Sequence, residues 1–64
     1  MTIGNLAKGL AILAKHTGEN SYNVGAEHDV LLVGPEVAVS ADDEKALTAM
    51  GWFVNDDGSW QAFV

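Results

Sequence analysis

Ile3, Leu6, Leu10 and Leu13 recur at spacings of three, four and three residues, and Ala7 and Ala14 widen the same stripe. That is the period of an amphipathic helix. Thr2 stands where an N-cap belongs and Gly18 supplies a stop, so the spacing predicts a first helix over Ile3 to His16. On a helical projection the opposite face carries Asn5, Lys8 and Lys15. Ile12 falls among them, which makes it an expected exposed apolar residue, and a single one is ordinary on a protein surface.

After a polar connector at Glu19 to Ser21 the period changes to two. Tyr22, Val24 and Ala26 alternate with Asn23, Gly25 and Glu27, and a short apolar run, Val30 to Val33, ends at Gly34-Pro35. Two strands joined by a turn near Glu27 to Asp29 follow from this. Val37 to Val39 reads as loop or short edge strand. Ser40, with Asp43 three residues on and Glu44 next, resembles a capping box, and three acids in a first turn suit the positive end of a helix dipole. A second helix is expected over Ala41 to Met50, with Ala46, Leu47 and Met50 inward and Gly51 closing it.

Trp52 to Asn55 and Ser59 to Val64 flank Asp56-Asp57-Gly58, a strong hairpin signal. Alternation puts Trp60, Ala62 and Val64 on one face and Ser59, Gln61 and Phe63 on the other. The expected fold is therefore α+β, in the order αββαββ. A four-stranded antiparallel sheet with two helices packed on one face is the economical way to bury two helical stripes. Residues 1–64 read as a single small acidic domain.

Composition narrows the functions. The chain of 64 residues has nine Asp and Glu, three lysines, no arginine, no cysteine and a net charge of −6. Without the side chain best suited to fork onto phosphate, and with a charge that repels nucleic acid, direct nucleic-acid reading is excluded, and anionic lipid is disfavoured. The absence of cysteine removes disulfides, thiolate zinc sites and a cysteine nucleophile, and points to a cytoplasmic setting. No apolar stretch approaches the roughly 20 residues of a membrane span, and no signal-peptide core is visible.

Catalytic motifs are missing. Glu27-His28-Asp29 is the one cluster with the look of chemistry, but a metal site needs further ligands and His16 is the sole other imidazole; a polar strand end beside a turn accounts for it. No serine has a nucleophile elbow, no glycine spacing cradles phosphate, and aligning Gly58 to a calcium-loop glycine puts Phe53 and Val64 at ligand positions. Trp52, Phe53, Trp60 and Phe63 read as core and edge packing, with one indole expected to stay partly exposed for a partner. The expectation is a non-enzyme with no metal and no cofactor.

The distribution of charge is more informative than its sum. Met1 to Gly18 carries Lys8 and Lys15 and no acid, whereas Glu19 to Val64 carries all nine acids and Lys45. These acids gather at expected turns and one helix start. An acidic surface of this kind serves solubility in many proteins. It also suits competition with nucleic acid for a basic groove, because fixed negative charge gains the same steering and counterion release as DNA.

The run Val24-Gly-Ala-Glu-His-Asp-Val-Leu-Leu-Val-Gly-Pro and the ending Leu47-Thr-Ala-Met-Gly-Trp-Phe-Val-Asn-Asp-Asp-Gly-Ser-Trp-Gln-Ala-Phe-Val resemble a group of small acidic phage and prophage proteins. That group includes anti-CRISPR proteins active against the type I-C system. The resemblance covers most of the chain. It implies a non-enzymatic inhibitor, working in the bacterial host cytoplasm, that binds the type I CRISPR surveillance complex (Cascade) and blocks target-DNA binding. The surveillance complex reads its target through basic surfaces, so an acidic DNA mimic as a monomer on a basic DNA-binding surface of one Cascade subunit is the expectation. The expected contacts are Glu27, Asp29, Glu36, Asp42, Asp43, Glu44, Asp56 and Asp57. From another class comes a phage or host interaction module that binds through Ile12 and the C-terminal aromatic hairpin.

Overall fold

Caps and turns set the element boundaries. In a computed structural model describing all 64 residues, helix α1 spans Ile3–Thr17 and helix α2 spans Ala41–Ala49. Thr2 Oγ1 accepts the Asn5 N–H at 3.0 Å and Ser40 Oγ accepts the Asp43 N–H at 3.2 Å, so each helix starts where its capping residue satisfies an orphan donor. Gly18 ends α1, its N–H bonded to Ala14 O at 2.8 Å, and Met50 caps α2 ahead of Gly51. Both helices end within one residue of the boundaries expected from spacing.

Strands β1 (Val24–Glu27), β2 (Val30–Val33), β3 (Phe53–Val54) and β4 (Trp60–Phe63) form one antiparallel sheet in the order β1-β2-β4-β3. The two hairpins thus join through β2 and β4, with Val33 opposite Trp60 and Leu31 opposite Ala62. Residues in register share a face. Val33, Trp60 and Ala62, with Leu13 of α1, Leu47 of α2, Val37 and Trp52, make the core, and Leu31 packs against it half-buried. The α+β fold in αββαββ order is as expected, and both helices lie on that face of the sheet. The last two strands are shorter than the expected Trp52 to Asn55 and Ser59 to Val64: Trp52, Asn55, Ser59 and Val64 lie outside them, Trp52 and Ser59 being buried there.

Val37 to Val39 forms no strand. The segment after the cis Gly34-Pro35 peptide instead runs along the second hairpin, where Glu36 N–H donates to Asp57 O at 3.0 Å and Val37 N–H to Gly58 O at 3.1 Å. Val37 is buried as a result.

Helix α1 is rolled relative to its apolar stripe. Ile3 is 86 % exposed and Ala7 is exposed, while Asn5 and Ile12 are half-buried and Gly9 is buried. The cause is the layer beside the helix. Trp52 follows α2 and lays its indole on Gly9, with Nε1–H donating to Asn5 O at 3.3 Å. Asn5, Gly9, Ile12 and His16 therefore form a second flank that faces α2 and Trp52, buried at Gly9 and exposed at His16, and Ile12 packs against the core instead of meeting solvent. Neither indole is available to a partner: Trp52 and Trp60 are both buried, and the exposed aromatics of the second hairpin are Phe53 and Phe63.

Candidate protein-binding surface

Asp43 is the one expected contact residue that the fold holds in ion pairs. Its Oδ2 lies 2.9 Å from Lys15 Nζ and 2.7 Å from His16 Nε2, tying the first turn of α2 to the last turn of α1. The Lys15 ammonium and then the His16 imidazole hold the Asp43 carboxyl at about 2, below the ordinary 3.8. These are also the helix ends at which each charge is favoured by the dipole. Asp43 is half-buried, so it is a clasp between helices, in contrast to the expectation that it faces a partner. Asp42 and Glu44 beside it are exposed and make no ion pair.

Three further expected residues come from two segments. The backbone bonds that run Glu36 and Val37 along the Asp57-Gly58 turn place Glu36 with Asp56 and Asp57 at one end of the sheet. The turn is rigid: Asn55 Oδ1 accepts the Asp57 N–H at 3.2 Å and the Ser59 N–H at 3.0 Å. Gly58 sits at φ +81°, and a side chain there would press on the Glu36 backbone at 3.0 Å. Glu36 itself has φ +58°, a region few side chains adopt. Glu36, Asp56 and Asp57 are all exposed.

Glu27 and Asp29 lie at the other end. The first hairpin turns through His28 and Asp29, with His28 at φ +56°, and all three polar residues of this turn are exposed. No three His, Asp or Glu side chains converge on a common point in a way that would hold a metal ion. The acids thus occupy separate stations: the two ends of the sheet and the start of α2. Of the nine carboxylates, Asp43 alone is ion-paired within the chain.

A surface that hydrophobic spacing left unmarked is the sheet face turned away from the helices. Register puts Val30 beside Phe63, and Gln61 between Leu32 and Phe53, on this face. Phe53 and Phe63 meet with ring centroids 5.3 Å apart and are 37 % and 58 % exposed. Opposite Leu32 on the β1 side stands Gly25, which has no side chain. The same face carries a depression of about 440 Å³, lined by the His28 turn, Val30, Leu32, Asn55 and Gln61. The signal was the unbroken run Val30 to Val33: four consecutive apolar residues on one strand cannot all face the helices.

Compared with known proteins, the chain matches no family model, no curated protein and no solved structure. Its surface chemistry therefore carries the functional reading. No helix is long and apolar enough to cross a membrane.

Proposed function

We propose that this protein is a non-enzymatic phage inhibitor of a type I CRISPR surveillance complex, the type I-C complex by its sequence resemblance, acting as an acidic DNA mimic in the bacterial host cytoplasm. The observation that carries the reading is the eight carboxylates that have no cationic partner in the chain, on a molecule without arginine. Unpaired, exposed and held by backbone turns and a helix start, they are free to meet lysines and arginines of a DNA-binding groove. A preorganised acid loses little entropy on binding and releases the counterions of both partners. As a monomer it would occupy the basic surface that target DNA needs.

Asp42, Glu44, Glu36, Asp56 and Asp57 are the preferred contacts, with Glu27 and Asp29 at the far end of the sheet. The deciding experiment is a gel shift of target DNA by the purified surveillance complex. This protein should abolish the shift, and Asp42→Lys with Glu44→Lys should restore it while leaving the clasp at Asp43 intact. A stable complex containing both the protein and target DNA would defeat the mimic reading.

A second reading, a protein-interaction module acting through apolar surface, is favoured by the exposed Phe53 and Phe63. Ile12 drops out of it because that side chain packs against the core.

A further inference from the structure

The helix-free face of the sheet has the composition of an unfinished layer. Its centre is apolar, with Val30 and Leu32 half-buried and Phe53 and Phe63 stacked along one side. Its periphery is acidic. Glu27 lies in register with Val30, so it projects from the same face, and Asp29 follows in the adjoining turn. At the opposite end Asn55 lines the depression and Asp56 continues the turn. No lysine lies on this face: Lys8 and Lys15 belong to α1, Lys45 to α2, and both helices pack on the other side, while His28 lines the depression from the first turn.

We propose that this face docks a cationic amphipathic helix of a partner protein, whose apolar stripe lies over Val30, Leu32, Phe53 and Phe63 and whose lysines or arginines reach Glu27, Asp29 and Asp56. Charge complementarity selects this occupant. A second copy of the chain would bring net −6 against −6, and an anionic lipid surface or nucleic acid would meet the acidic ends in the same unfavourable sense. A helix fits the shape because the depression over Val30, Leu32 and Gln61 lies beside the paired rings of Phe53 and Phe63, and because sheets bury an open face most simply under a helix, as this sheet does on its other side. A strand would add in the plane of the sheet, at the edge of β1 or of the two-residue β3, and leave the faces of Val30, Leu32 and the phenylalanines bare. The inference takes up the second reading above and names its partner. It does not need the DNA-mimic contacts at Asp42, Glu44 and Glu36.

The probe is a synthetic peptide of roughly 18 residues, leucines at helical spacing and lysines elsewhere, titrated into the isotope-labelled full chain at physiological salt. The expected result is a set of amide shift changes centred on Val30, Leu32, Gln61 and Phe53. Affinity should fall about tenfold or more in Phe53→Ser/Phe63→Ser, which touches only exposed rings and keeps the wild-type circular dichroism. A scrambled peptide of the same composition should bind at least about tenfold more weakly, since it presents no apolar stripe. Equal binding of the scrambled peptide, shifts centred elsewhere, or indifference to the double substitution would each overturn the proposal. So would dimerisation of the free chain through this face, or co-sedimentation with phosphatidylcholine vesicles that depends on Phe53 and Phe63. The two readings fail separately: the DNA gel shift responds to Asp42 and Glu44, the peptide titration to the phenylalanines.

Discussion

The indole of Trp52 rests on Gly9, so close that a β-carbon at Gly9 would overlap the pyrrole edge of the ring. A helix interior normally prefers alanine to glycine by about 1 kcal/mol. Here the preference is reversed, because Trp52 is 1 % exposed, has no room to retreat and donates to Asn5 O from that position. Gly9→Ala should destabilise the protein by roughly 1–3 kcal/mol, the usual cost of overfilling a packed site. Gly4, in the same helix with nothing within 4 Å of a built β-carbon, is the control. Gly4→Ala should stabilise by up to about 1 kcal/mol. Urea denaturation of both variants tests the pair, and a stabilised Gly9→Ala would contradict this packing.

That contact also explains what could be read from the chain. Leu6, Leu10 and Leu13 mark the sheet-facing side of α1 correctly, because leucine at helical spacing has one common cause. The flank facing α2 and Trp52 is written in Asn5, Gly9, Ile12 and His16, whose spacings of four, three and four are equally helical. Their chemistries are an amide, a gap, an isoleucine and an imidazole. No scan for apolar periodicity sums those into a face. Ile12 and Ile3 consequently trade places, and truncation separates them. Ile12→Ala should cost about 1–2 kcal/mol in a denaturation experiment, whereas Ile3→Ala, at a position 86 % exposed, should be nearly neutral.

Turns and caps were more legible, since Asp56-Asp57-Gly58, Ser40 and Thr2 act locally and need no partner to take effect. The acidic stations follow from them. What local rules do not contain is which acid the fold retains for itself: the Asp43 pairing spans 27 residues and depends on how two helices dock. The second hairpin's phenylalanines were likewise expected as packing, and it is the register of β4 against β2 and β3 that turns Phe53 and Phe63 outward together.

The Asp43 clasp should show in the pH dependence of stability. Its carboxyl sits at about 2 in the folded chain against 3.8 without partners, so folding favours the ionised form. A depressed folded value means that the stabilisation is fully present above the unfolded value and is lost as pH falls towards 2. Asp43→Asn should therefore lower the thermal midpoint at neutral pH, and the gap from the wild type should close across that acidic window. Asp42→Asn, which breaks no ion pair, is the control and should lower the midpoint less. If wild type and Asp43→Asn melt together at pH 7, the clasp contributes nothing to the fold.

Glu36 offers the sharpest separation of stability from inhibition. Holding a non-glycine residue at φ +58° costs roughly 1 kcal/mol, a strain that glycine escapes. Glu36→Gly should accordingly keep the fold or stabilise it by up to about 1 kcal/mol, since the side chain is exposed and the N–H bond to Asp57 O belongs to the backbone. As a DNA mimic the same variant loses one fixed charge beside Asp56 and Asp57. It should block target-DNA binding less well, and the salt dependence of its affinity for the surveillance complex should become shallower. Glu36→Gln removes the charge while keeping the strain, so it should match Glu36→Gly in lost inhibition and match the wild type in stability. Were both variants to inhibit undiminished, the corner formed by Glu36, Asp56 and Asp57 would not be a contact surface, whatever its charge.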